Sequence, residues 1–88
     1  EYGTSLLVKG RLLLVSDLRR EGLSAFDLDS GELAFSLPVP GLRSPMMAAA
    51  DRPEPWVWVV AGRDRELALV QLDLAQRAVV RRTSLVTW

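Results

Sequence analysis

The chain has 88 residues, 49% of them hydrophobic and 25% charged, which is the composition of an ordinary globular domain. Eleven basic and eleven acidic residues cancel, so no net field draws in nucleic acid or an anionic membrane surface, and neither is expected as a partner. Cysteine and histidine are both absent, which excludes disulfides, thiolate chemistry, Cys- or His-ligated zinc and any histidine-dependent triad built from this chain alone.

Apolar runs of four to seven residues recur along the sequence, each bounded by glycine, proline, aspartate or arginine pairs. The longest, such as Leu12–Val15 and Trp56–Ala61, are far too short to cross a bilayer as a helix, and no signal-peptide pattern is read. Short runs with frequent turn residues predict an all-β fold. In the first half, strands are expected near Ser5–Val8, Leu12–Ser16, Leu23–Leu28 and Glu32–Leu37. Lys9-Gly10, Asp17 to Gly22 and Asp29-Ser30-Gly31 supply the turns, and Gly31 is free to take the positive φ that such a loop needs. Pro38 to Pro45 holds three prolines, which donate no ladder hydrogen bonds, and reads as a connection between two units.

The second half repeats the plan, with strands expected near Met46–Ala50, Trp56–Ala61, Leu67–Leu72 and Ala78–Arg82, and Ser84–Trp88 opening a third unit. Glu66 to Arg82 is also rich in Leu, Ala, Gln and Arg, so a helix is the alternative there. Met46-Met47-Ala48-Ala49-Ala50 shares that ambiguity. The match with the first half favours strands: Phe26-Asp27-Leu28 returns as Leu72-Asp73-Leu74, 46 residues on, near the period of propeller blades.

Leu12-Leu13-Leu14-Val15 and Trp56-Val57-Trp58-Val59-Val60 are apolar at successive positions, which predicts burial of both faces, as in the inner strands of a propeller. Glu32-Leu33-Ala34-Phe35-Ser36-Leu37 alternates instead. Leu33, Phe35 and Leu37 are expected on one side and Glu32 and Ser36 on the other, as suits a wetter outer strand. The expected fold is therefore all-β, with two four-stranded antiparallel β-propeller blades forming part of a larger or oligomeric propeller. Residues 1–40 make the first blade, 41–83 a second, degenerate blade, and 84–88 the start of a further strand.

The run Ala25-Phe26-Asp27-Leu28-Asp29-Ser30-Gly31-Glu32-Leu33-Ala34-Phe35 resembles the tryptophan-docking motif of quinoprotein-type β-propellers, a WD-like repeat family. Ala25, Asp27, Ser30, Gly31 and Glu32 keep the family pattern, and Phe35 stands where the family has tryptophan. Gly10 to Val15 and Arg43-Ser44-Pro45 resemble the segments that flank the motif. The resemblance covers most of residues 4–50. In the second unit Asp73 keeps its place, Gln76 and Arg77 replace the Ser/Thr-Gly pair, and Val80 sits near the aromatic position. What the resemblance implies is a propeller whose aromatic residue packs into the neighbouring blade. Its quinone- and calcium-binding oxidoreductase members supply an alternative function.

Each chemistry-bearing group has a plain structural reading beside the functional one. Asp27 and Asp73 are read as turn carboxylates in preference to catalytic ones, and Phe35 as inter-blade packing. Trp56 and Trp58 share a strand face; core packing is preferred over a carbohydrate platform because Val57, Val59 and Val60 make the strand apolar on both sides. Arg19-Arg20, Arg63-Arg65 and Arg81-Arg82 are placed in or beside turns. A basic rim gripping an anion is weighed there against loop charge offset by Asp17, Glu21, Asp64 and Glu66, and the second is preferred.

No phosphate loop, calcium-loop spacing or nucleophile elbow accompanies the carboxylates, including Asp27 and Asp29. No catalytic, cofactor-binding or metal-ligating residue is assigned, and no cofactor or enzymatic activity is expected. The expected function is a protein–protein interaction scaffold whose partners are other proteins or further blades. Homo-oligomerisation into a self-assembling, designed propeller is a further alternative, as is a ligand-binding lectin on the Trp56/Trp58 face.

Overall fold

The computed structural model describes residues 4–48, 52–63 and 66–85. Seven strands make two antiparallel sheets. The first sheet holds β1 (Thr4–Lys9), β2 (Leu12–Asp17), β3 (Gly22–Asp27) and β4 (Leu33–Pro38), paired in chain order. The second holds β5 (Trp56–Arg63), β6 (Glu66–Asp73) and β7 (Ala78–Ser84). No helix is present among the described residues, so Glu66 to Arg82 forms a strand hairpin, as the match with the first half favoured.

The second sheet has three strands where four were expected. Met46–Ala50 does not form the missing one. Of its described residues, Met47 makes only an isolated antiparallel bridge to Trp58, while Ala49 and Ala50 lie outside the described residues. The chain nevertheless runs along the free edge of β5. Gly62 N–H donates to Gly41 C=O (2.9 Å), Arg43 N–H to Val60 C=O (2.9 Å), and Met47 and Trp58 exchange two bonds (2.9 and 2.8 Å). Between them Ser44 and Pro45 break the ladder, because proline has no N–H to give. The Ser44 hydroxyl accepts from Val60 N–H at 2.8 Å in place of a strand carbonyl. Ser84, expected to open a third unit, closes β7, and Val86 to Trp88 lie outside the described residues.

One alternating face of each sheet is sealed. Leu14, Leu23 and Ala25 of the first sheet join Val57, Val59, Ala61, Val70 and Leu72 of the second in a single buried cluster. Leu7, Leu12, Leu18, Phe35 and Leu37 pack around its margin. Ser16 lies in the same buried face, and its hydroxyl is hydrogen-bonded across the strand pair to Ser5. The expectation that both faces of β2 and β5 are buried is corrected: Leu13, Val15, Trp56, Trp58 and Val60 point away from the cluster and are only half-buried. Among the described residues each sheet packs against one other sheet, and a strand with one neighbouring layer seals one face.

The alternation expected in β4 is also corrected. A bulge between Ala25 and Phe26 shifts the register, so Phe35 pairs with Ala25 and Leu37 with Leu23, whereas Leu33 pairs with Phe26 and is 56% exposed. An extra residue in one strand re-aims the side chains that follow it.

The two β-hairpins that follow β2 and β5 share hydrogen bonds as well as sequence. Asp27 Oδ1 accepts from the amides of Asp29 (2.7 Å) and Ser30 (3.1 Å), and Asp73 Oδ1 accepts from those of Ala75 (2.8 Å) and Gln76 (3.1 Å). Left-handed backbone follows at Gly31 (φ 79°) and at Arg77 (φ 57°). The bulge at Ala25/Phe26 returns at Gln71/Leu72. Leu28 N–H reaches back to Arg11 C=O, and Leu74 N–H to Pro55 C=O. Past the last strand, Val39 N–H bonds Glu21 C=O (2.8 Å) and Leu85 N–H bonds Leu67 C=O (2.9 Å). Except for Arg11 and Pro55, which lie 44 apart, each of these positions has its counterpart 46 residues on, as 27 has 73.

Candidate functional site

Two surfaces and one cleft hold the groups singled out by the sequence. The first surface is the open face of the β1–β4 sheet. Register places Val8, Leu13, Phe26 and Leu33 in one row across all four strands, and Leu6 and Val15 in the next. Leu6 is 67% exposed and Val8 59%. Apart from Asp17 at its end, the strand residues on this face carry no charge. Sequence reading missed this surface because the apolar run at Leu12–Val15 looked buried on both sides.

The second surface is the open face of the β5–β7 sheet. Trp58, Gln71 and Arg81 align across it, as do Val60, Leu69 and Thr83. Trp56 and Trp58, read from sequence as core, lie here half-buried, edge to face with ring centroids 6.2 Å apart at 81°. That geometry is a favoured one for an aromatic pair, edge against face. Trp56 also stands opposite Asp73, its cross-strand partner. The Asp73 carboxyl is held below the ordinary carboxylate value, first by the Gln76 amide, against the opposing cost of burial; the Ala75 amide and the Gln76 and Trp56 side chains add to it. Its hydrogen bonds to Ala75 and Gln76 close the turn, as those of Asp27 to Asp29 and Ser30 close its own.

Phe35 joins the sheets. It sits half-buried at the margin of the core, with the Arg77 guanidinium from the β6–β7 turn 4.9 Å above its ring centroid, a cation–π contact.

Among the described arginines of these loops, acidic neighbours offset part of the charge. The Arg20 guanidinium lies 3.8 Å from Asp17, which also accepts the Arg19 backbone N–H (2.9 Å), and Arg63 Nη2 lies 3.5 Å from Glu21. Arg63 and Glu21 do bring the β2–β3 turn and the end of β5 to the same end of the molecule. Asp64 and Arg65 lie outside the described residues. Arg81 and Arg82, expected in or beside a turn, stand in the middle of β7, an edge strand, where charge deters pairing with another sheet. At the opposite end Arg11 pairs with Asp29. A cleft of about 610 Å³ opens beside Gly41, Gly62, Arg63, Leu67, Arg82 and Ser84. Ser84 and Glu66 both line it, and no hydrogen bond joins their side chains. Among the described residues no cluster of carboxylates has the arrangement of a metal site.

No protein-family model and no curated protein sequence matches the chain.

Proposed function

We propose that this chain is a two-blade segment of a β-propeller that serves as a non-catalytic scaffold for binding protein. The observation that carries the reading is the return, 46 residues on, of one turn carboxylate, one left-handed residue, one bulge and one exit hydrogen bond. Four independent local features at one spacing are what a tandem structural unit produces, and the spacing matches blade length. The Phe35–Arg77 contact supports it, since the aromatic that follows the docking turn engages the neighbouring sheet. A broad uncharged face flanked by charged turns favours protein contact over catalysis.

The reading separates cleanly from a quinoprotein oxidoreductase. The test adds pyrroloquinoline quinone, calcium and a primary alcohol to the chain and follows reduction of an artificial dye, alongside saturable binding of candidate proteins to the immobilised chain. The scaffold reading expects saturable binding with no turnover. Dye reduction above the protein-free rate overturns it in favour of the oxidoreductase.

A further inference from the structure

The two open faces are complementary in a specific sense. If Asp27 and Asp73 are matched, then Phe26 matches Leu72 and Leu13 matches Val57, because each pair is cross-strand in its own sheet. Leu72 and Val57 are fully buried against the first sheet, whereas Phe26 and Leu13 face away from the second. By the same matching, the sealed Leu14, Leu23 and Ala25 correspond to the half-buried Trp58, Leu69 and Gln71. Each sheet thus covers the side that its counterpart leaves open.

A contact between unlike faces can be repeated without limit, closing into a ring if its rotation allows. We propose that the Trp58–Leu69 face of one copy of this chain packs on the Leu13–Phe26 face of the next, head to tail, repeating between copies the contact made within each. The inference rests on reading the two sheets as equivalent units.

Charge at the margin selects a second copy as the occupant. In the contact already formed, Arg77 lies over Phe35. Carried to the open faces, Phe35 becomes Arg81, and Arg77 becomes Gly31, whose turn holds Glu32 beside Asp29, the latter paired with Arg11 of its own chain. The cation–π pair at one contact is replaced at the other by Arg81 against an acidic turn. Substituted sides therefore change together and remain complementary. The apolar centre is also suited: Leu6, Val8 and Leu33 are uncovered by their own chain and lie on the face that receives the neighbour.

The test is the solution mass by light scattering after size exclusion, with circular dichroism to confirm that each sample is folded. The wild-type chain is expected to exceed its 9.8 kDa monomer mass increasingly with concentration. Two variants each disable one face: Val8→Asp with Leu33→Asp on the first sheet, and Leu69→Asp on the second. Val8 and Leu33 are more than half exposed, so that double variant tests assembly without disturbing the core.

Alone, each variant is expected to be monomeric. Mixed in equal amounts they retain one intact pair of unlike faces, and the mass is expected to double. A mixture that stays monomeric while the wild type assembles overturns the head-to-tail arrangement, and a single variant that dimerises alone overturns it in favour of contact between like faces. A wild-type chain that is a folded monomer, or unfolded, at every concentration overturns self-assembly altogether. Neither result touches the scaffold reading as dye reduction would, so the two failures are distinct.

Discussion

Phe26 and Leu72 hold the same place in their sheets, each just after a bulge and just before the turn aspartate, yet only Leu72 is sealed. Truncating each measures what the neighbouring sheet contributes. Leu72→Ala leaves a cavity between the sheets and is expected to cost about 3 kcal/mol. Phe26→Ala, at a half-buried position, is expected to cost about 1 kcal/mol in dilute solution. Urea denaturation of the two variants at one low protein concentration checks the difference.

Asp73 ties stability to pH. Its carboxyl is depressed in the folded chain, so the folded state favours the ionised form, and the contribution is fully present above the ordinary value of 3.8. It is lost as pH falls from there through the lower folded value, where the Gln76 and Ala75 amides lose their charged acceptor. Acid titrations of wild type and Asp73→Asn, followed by circular dichroism, are expected to show a shallower loss of stability below that pH in the variant.

Two glycines separate backbone strain from steric overlap. Gly31 stands at φ 79° with nothing within 4 Å of where a Cβ would go, so Gly31→Ala is expected to cost about 1 kcal/mol through conformation alone. At Gly62, φ is 143° and a Cβ would overlap the Glu66 carbonyl, while the Gly41 backbone runs alongside. Gly62→Ala is expected to cost about 3 kcal/mol, or to prevent folding, because backbone rather than a movable side chain is in the way. Thermal melts of the two variants side by side check the order.

Glu21 links three segments at one end of the molecule. Its carboxylate accepts from Gly41 N–H at 2.7 Å, pairs with Arg63, and its carbonyl receives Val39 N–H. Glu21→Gln keeps an acceptor for Gly41 and gives up an exposed ion pair, a change expected to stay within about 0.5 kcal/mol. Glu21→Ala leaves the Gly41 amide without its acceptor and is expected to cost about 1 kcal/mol. Amide hydrogen exchange at Gly41 is expected to accelerate in the alanine variant and to hold in the glutamine one.

Strand positions were legible where side chains and turns gave the same answer. Gly10, Asp27 and Gly31 mark turns by their own chemistry, and the strands between them follow within a residue or two. The left-handed site at Arg77 was legible only through its match with Gly31, since arginine gives no local signal for positive φ. The break at Ser44-Pro45 was half legible. Proline announced that a ladder bond would be missing, but the Ser44 hydroxyl filling that place depends on where Val60 lies in space.

The sequence by itself determined that the chain is all-β, where its hairpins turn, and that it carries no histidine or cysteine chemistry. Those properties reside in residue identity and in contacts a few positions apart. Only the tertiary structure decided which face of each strand is covered, which is why Trp56 and Trp58 passed for core. Runs such as Leu12–Val15 are apolar on both sides, so their composition is the same whether a face meets its own chain or awaits another. The bulges at Ala25/Phe26 and Gln71/Leu72 then set which side chains share a row, and a one-residue shift in pairing moves a side chain to the opposite face.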